Sequence, residues 1–303
     1  MPFAELKSNV KIHYSLTGKG VDEGTVKVRF VDDSAALLMA CQAEGYEGET
    51  LKLASNGKDA KVVNASMTAQ GASGGVRGRL SVNRPTLSYS YRGSGQSSIP
   101  RSLDEYSIDN YREDTRQLAE HVGFNRFALV GYSHGGYFAT DYALNYPNQV
   151  SALVLVEPAL FVDRAKLQDR IKLARQGNGE GAIHLLMKQM APEMALNSKE
   201  YNALVKDIKK NYPDPIGLAG DWYARATHEI AEKELGQLRV PTLIIGGERS
   251  WVRENIARAA RFIPGAELVW LDGTHNLWEE KPTEIAEAID AFISARKSSP
   301  PMG

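Results

Sequence analysis

Residues 127–136 read FALVGYSHGG. The first four are wholly apolar, as expected of a short strand covered on both faces of a sheet. The rest contain G-x-S-x-G, centred on Ser133. A nucleophilic serine must project its hydroxyl from a sharp turn between strand and helix. Gly131 and Gly135, two residues to either side, let the backbone pass without clash. The turn also presents the backbone N–H of His134 at a helix N-terminus, where it can stabilise an oxyanion. The imidazole of His134 points elsewhere on such a turn, so only its N–H is assigned a role. By composition alone this five-position pattern arises in roughly one of every five to ten chains of this length. The apolar strand before it and the helical pattern after it, 134–144, supply the context the motif requires. Ser133 is the expected nucleophile.

Outward from this turn the chain alternates strand and helix. Residues 86–91 (TLSYSY) read as a strand, 108–122 as an amphipathic helix with Ser107 as N-cap and Gly123 as its stop, and 150–156 (VSALVLV) as a buried strand. Strands follow at 241–245 (PTLII) and 267–271 (ELVWL), with a helix at about 252–262 between them. A last helix at 283–296 starts after Pro282. This order predicts an α/β fold, a mostly parallel sheet with helices on both faces. Residues 159–236 interrupt it with polar, mostly helical sequence too long for a loop. They are expected to form a helical lid over one end of a core made of 1–158 and 237–303. Nearer the N-terminus, 9–16 and 25–31 alternate like strands around a turn at 17–20, 34–44 reads as a short helix, 61–64 as a strand and 71–78 as a glycine-rich loop.

Bulk properties narrow the function classes. The 303 residues are 43% hydrophobic and 24% charged, with a formal net charge of −1. A real core can form, and no basic face points to nucleic acid. Cys41 is the one cysteine, so no internal disulfide can form; it lies in an apolar run and reads as a buried, inert thiol in a reducing compartment. No stretch approaches the roughly 20 apolar residues of a membrane span, and the N-terminus lacks a signal-peptide pattern, so a soluble, cytoplasmic protein is expected. No phosphate-binding glycine motif and no metal-ligand spacing occurs. The expected partner is a small-molecule substrate, with no cofactor, metal, nucleic acid or membrane.

A serine hydroxyl needs a base to take its proton. Of the six histidines, His275 stands in LDGTHN (271–276), directly after the last strand and before the closing helix. A loop at that end of a parallel sheet can hang a side chain over the nucleophile. His275 is the expected base.

Residues 86–296 resemble the α/β-hydrolase superfamily through YRGSGQS (91–97), GYSHGG, LVLVEP (153–158), VPTLIIGGERS (240–250) and GTHNLWEEKP (273–282). The resemblance implies a serine hydrolase with an oxyanion hole, a helical lid and no cofactor, its residues in the order serine, acid, histidine. Most members carry the acid after the strand that here reads TLII, where this chain has Gly246-Gly247-Glu248-Arg249-Ser250 and Ser250 near the usual aspartate position. Others carry it one strand earlier, which points to Glu157. A carboxylate there can hold the histidine's other nitrogen and fix its tautomer. Glu157 is placed first and Glu248 is the alternative. The family's His-Gly loop, source of a second oxyanion donor, has no counterpart before residue 134; the loop 65–75 (ASMTAQGASGG), with a donor near 68–71, is the expected substitute. Trp251, Trp278 and Tyr132 line a pocket or pack in the core. The expected activity is cleavage of a small or medium ester or lactone through an acyl-enzyme. A lyase or cofactor-free oxygenase on the same fold, or a binding protein with a lost oxyanion hole, are the alternatives.

Overall fold

The structure, a computed structural model, describes residues 3–7, 9–17, 36–39, 52–55, 60–63, 75–82, 84–190, 192, 196 and 198–297. Its strands are β1 Phe3–Glu5, β2 Lys11–Thr17, β3 Ala36–Met39, β4 Lys52–Ser55, β5 Ala60–Val63, β6 Thr86–Tyr89, β7 Phe127–Tyr132, β8 Val150–Val156, β9 Thr242–Gly247 and β10 Glu267–Leu271. Its helices are α1 Val76–Ser81, α2 Ile108–Val122, α3 His134–Asn145, α4 Arg164–Arg175, α5 Gly179–Met190, α6 Lys199–Asn211, α7 Pro215–Thr227, α8 Glu232–Leu235, α9 Arg253–Phe262, α10 Leu277–Glu280 and α11 Pro282–Lys297. Among the described residues eight strands form one sheet in the order β1-β2-β6-β3-β7-β8-β9-β10, while β4 and β5 pair with each other. From β6 to β10 all pairings are parallel; β1 and β2 add an antiparallel edge.

Strict alternation along the central strands divides their side chains between two cores. Phe127 and Leu129 of β7, Leu153 and Leu155 of β8 and Ile244 of β9 face one side, where they join Leu118 of α2, Phe138 of α3 and Ile256 of α9. Ala128, Val130, Val154, Leu243 and Ile245 face the other, against Leu80 of α1 and Ile285 and Ile289 of α11. Both faces are covered, which is why FALV and VSALVLV carry no polar stripe. The caps also follow the sequence. The Ser107 hydroxyl accepts from the Asn110 N–H at 3.3 Å, and Gly123, at φ 84°, turns the chain out of α2.

Residues 36–39 depart from the expected helix at 34–44: they form β3, the strand between β6 and β7. Leu37 pairs with Leu87 on one side and Leu129 on the other. Two ladders of backbone hydrogen bonds outweigh the few tenths of a kcal/mol per residue by which alanine, leucine and methionine favour helix. The glycine-rich loop expected at 71–78 ends earlier, since Val76 and Leu80, one helical turn apart, seat α1 in the second core. The strand expected at 61–64 overlaps β5, and that expected at 9–16 overlaps β2, which runs on to Thr17. The readings at 17–20 (beyond Thr17), 25–31, 41 and 64–74 lie outside the described residues.

Helices α4 to α8 fill the stretch between β8 and β9 expected to be a lid. Helices α4 to α7 hold a third core of their own, with Ile171, Ile183, Leu218 and Trp222 at its centre, while Leu235 of α8 joins the first. Helix α7 sits hard against the turn after β6. A Cβ on Gly93, whose φ is 80°, would lie 2.6 Å from the Tyr106 ring and 2.8 Å from the Gly217 Cα. That turn is pinned in its place by Arg92, whose buried guanidinium donates to both carboxylate oxygens of Asp114 on α2 at 2.7 and 2.6 Å.

Candidate active site

Strand β7 ends at Tyr132, and the chain turns at Ser133 into α3. Ser133 has φ 53° and ψ −122°, a conformation L-residues rarely adopt. Neighbouring strands hold it there. Its N–H donates to the Val156 carbonyl at 2.9 Å, and its carbonyl accepts from Gly136 at 3.0 Å and Ala159 at 3.1 Å. Gly131 is required by space, because a Cβ there would stand 2.6 Å from the Gly135 carbonyl oxygen and the Gly136 Cα. Gly136 faces Pro158, and a Cβ there would stand 3.1 Å from the Pro158 Cβ, a tight contact. As the first residue of α3, His134 has a backbone N–H with no acceptor inside the helix.

The ends of β8, β9 and β10 bring the remaining groups together. Glu157 follows β8 with φ 52° and is fully buried; its N–H donates to Ile245 at 2.8 Å. His275, in the loop after β10, contacts the Ser133 hydroxyl through Nε2 at 3.0 Å and Glu157 Oε2 through Nδ1 at 2.9 Å. Two donors from the end of β9 also reach that carboxylate: the Gly247 N–H meets Oε1 and the Ser250 hydroxyl meets Oε2. Because the carboxylate accepts, the His275 proton sits on Nδ1, leaving Nε2 to accept from Ser133. Glu248, the alternative acid, is exposed, and the contact with His275 is made by Glu157.

The imidazole is held from several sides. Tyr132 stacks on it with centroids 5.9 Å apart and donates its hydroxyl to the His275 carbonyl at 2.7 Å. Trp251 covers the ring with centroids 4.3 Å apart while remaining 41% exposed, whereas Trp278 is buried against Tyr132. Glu280 accepts from the Thr274 N–H at 2.8 Å and its hydroxyl at 2.6 Å, bracing the loop just before His275.

The His134 side chain turns away from the hydroxyl into the layer beneath α7. There Nε2 lies 3.5 Å from the Tyr212 hydroxyl and 3.7 Å from an Asp221 oxygen. Burial pushes this imidazole down to about 4, with Asp221 opposing the shift, so at neutral pH it is uncharged and its approach to Asp221 is not an ion pair. Ser250, Gly247, the Tyr132 hydroxyl and Glu280 are contributors that sequence reasoning did not assign. Their signal was local: GGERS and GTHNLWEEKP were the matched segments on either side of β10.

Residues 65–74, where the second oxyanion donor is expected, lie outside the described residues. The strand before the loop 65–75 is β5, which pairs with β4 alone, whereas the strand beside β7 is β3, whose Met39 is paired with Gly131. Among the described residues no three histidine, cysteine or acidic groups cluster as metal ligands, and no helix is long and apolar enough to cross a membrane.

A parallel sheet with a strained serine at one strand end, a histidine from the loop after the last strand and a buried carboxylate behind that histidine defines an α/β-hydrolase arrangement. A family model described as the alpha/beta hydrolase fold matches residues 83–282, and the chain belongs to that family. Among curated relatives, it is 27% identical over 240 residues to a proline iminopeptidase of Saccharolobus solfataricus, covering 68% of this chain and 75% of that one. It is 36% identical over 95 residues to the human 1-acylglycerol-3-phosphate O-acyltransferase ABHD5, covering 31% of this chain and 27% of the relative. The chain thus spans only about a quarter of the length of that relative. Among solved structures, the enol-lactonase from Burkholderia xenovorans LB400 superposes with a TM-score of 0.71 at 20% identity, covering 97% and 100% of the two chains. A thermophilic esterase from Thermogutta terrifontis gives a TM-score of 0.70 at 19% identity, covering 98% and 99%. These similar structures share the fold.

Proposed function

We propose that this chain is a serine hydrolase that cleaves a small or medium carboxylic ester or lactone through an acyl-enzyme. The observation that carries the reading is the continuous relay from the Ser133 hydroxyl through His275 to the buried Glu157 carboxylate, at 3.0 and 2.9 Å. As Ser133 Oγ attacks the acyl carbon, its proton moves to His275 Nε2, and Glu157 stabilises the imidazolium that forms. The His134 N–H donates to the developing oxyanion. His275 then protonates the leaving alkoxide, or the ring-opened alcohol of a lactone. A water deprotonated by His275 attacks the acyl-enzyme, releasing the acid and returning the proton to Ser133. Residues 159–236 serve as the lid that covers an apolar pocket over the strand ends. No cofactor enters these steps, and the partner is the small-molecule substrate.

The names of the similar enol-lactonase and esterase structures agree with this chemistry. The acyltransferase relative makes an alcohol acceptor the competing fate of the acyl-enzyme.

The test is turnover of p-nitrophenyl esters of increasing chain length, with fluorophosphonate labelling, for the wild type and Ser133→Ala. Activity and labelling in the wild type, both lost in the variant, are expected. Added glycerol that diverts most of the acyl group to a new ester would favour acyl transfer. A folded wild type that neither turns over nor labels would overturn the proposal.

A further inference from the structure

We propose that the buried Asp221 and Arg225 pair on α7 receives the hydroxyl that ring opening leaves on the acyl chain, which makes a lactone, rather than a simple ester, the substrate. The inference rests on the reading of Ser133, His275 and Glu157 given above.

Asp221 and Arg225 stand one helical turn apart on α7, and both are buried. Asp221 Oδ2 lies 3.7 Å from Nε2 of His134, the residue after the nucleophile, and accepts from Arg225 Nη2 at 3.4 Å. The other atoms of these two planar groups, Asp221 Oδ1 and Arg225 Nε, are buried with no hydrogen-bond partner among the described residues. A buried ion pair repays its desolvation only when its remaining lone pairs and protons are also matched. The missing partner is defined by chemistry. A carboxylate only accepts and a guanidinium only donates, so a group that serves both must donate and accept. An ammonium would meet the charge of Arg225 and, beyond it, that of Arg170, which is buried with its guanidinium 5.7 Å from the Trp222 ring. Burial and then the charge of Arg225 hold Arg170 down at about 10, with Asp163 opposing. A second carboxylate would meet Asp221. A hydroxyl is neutral and does both.

The chemistry at Ser133 says which hydroxyl this is. As Ser133 Oγ bonds to the acyl carbon of a lactone, the ring C–O bond breaks and His275 protonates the leaving oxygen. That oxygen stays on the enzyme as a hydroxyl of the acyl chain. Unless it is removed, it attacks its own acyl carbon, expels Ser133 and re-forms the lactone. A well-placed internal nucleophile has an effective concentration on the order of 10⁵ M or more, far above that of water. Hydrolysis therefore requires the hydroxyl to be drawn away. Accepting its proton at Asp221 Oδ1 and donating to its oxygen from Arg225 Nε does so, beside His134 and after a small outward shift of α7. A simple ester releases its alcohol to solvent and needs no such site.

The experiment gives the wild type, Asp221→Asn and Arg225→Lys the methyl ester of δ-hydroxypentanoic acid, whose acyl-enzyme is the one that δ-valerolactone forms. It measures the early ratio of hydroxy acid to lactone released, corrected for uncatalysed closure, with Tm confirming that each protein is folded. This ratio reports how the acyl-enzyme partitions, so a general loss of activity or stability does not move it. The wild type is expected to release mostly hydroxy acid. Each variant should shift the ratio toward lactone by roughly 10- to 100-fold, the range of a lost hydrogen bond to a charged group. A wild type that releases mostly lactone overturns the inference without any variant, as does an unchanged ratio in a folded variant. A wild type that forms neither product, or a Ser133→Ala protein that forms both at the full rate, would instead overturn the underlying hydrolase reading, so the two failures are told apart.

Discussion

Ser133 holds a backbone conformation that its own side chain disfavours, at φ 53° and ψ −122°. Such a residue costs of order 1–3 kcal/mol and persists where its surroundings hold it. Here the hydrogen bonds to Val156, Gly136 and Ala159 do so. Glycine tolerates this conformation and alanine does not. Ser133→Gly is therefore expected to be more stable than Ser133→Ala by about 1 kcal/mol in urea unfolding, with both inactive; equal stabilities would show that the turn stores no strain. Gly131→Ala should lose about 1–3 kcal/mol, because the new Cβ meets backbone atoms 2.6 Å away that cannot rotate aside. At this scale the sequence was informative. The elbow glycine, Ser133 and His275 stand where the sequence placed them because each chemistry demands a particular residue type at a strand end, whereas Glu157 was put ahead of Glu248 on the family resemblance. Ser250 was not, since a serine's partner depends on which carboxylate folds beside it.

Elements were legible where one pattern dominated. Helix α2 was bounded by Ser107 and Gly123, and β8 by seven residues without a charge. Strand β3 was misread because ALLM suits a helix as well as a buried strand, and only its two neighbours decide. The docking of α7 was also hidden, since it depends on Gly217 and Gly220 meeting Gly93 and Tyr106 from a distant part of the chain. The far end of α7 is tied down by His228, whose Nε2 lies 3.3 Å from the buried Asp141, itself gripped by Arg112 at 2.7 and 3.1 Å. The Asp141 contact raises this imidazole above 6.5, against burial, with Glu234 adding to the rise and Arg112 opposing it. A raised histidine contributes stability that is fully present below the unfolded value of about 6.5 and is lost as pH climbs through the folded one. Proteolysis within 159–236 should therefore quicken as pH rises from about 6 to about 8.5. His228→Gln should cleave at a rate that no longer depends on pH in that window. A wild type cleaved equally at both ends would remove this anchor from the account.

At the scale of the whole molecule, two cores flank the sheet and a third lies within α4 to α8, so the layer between sheet and helices must accommodate the polar groups that approach the site. His134 is one titratable group in that layer. Buried among Tyr91, Phe138 and Tyr212 beside Asp221, it is held down at about 4 by desolvation. The sign is opposite to that of His228. Folding favours the neutral ring, so the contribution is complete above about 6.5 and is lost as pH falls from there towards about 4. A shift of this size corresponds to roughly 3 kcal/mol at its full extent. Between pH values of about 7.5 and about 4.5 the wild type is expected to lose about 2–3 kcal/mol through this one side chain, read from urea midpoints at the two values. His134→Gln, which has no proton to gain, should lose less by that amount while starting from a lower stability at the upper pH, where the imidazole's contacts are missing. Parallel curves for the two proteins would mean that acid acts elsewhere, on the paired carboxylates, and that the ring beside the nucleophile opens to water before it charges.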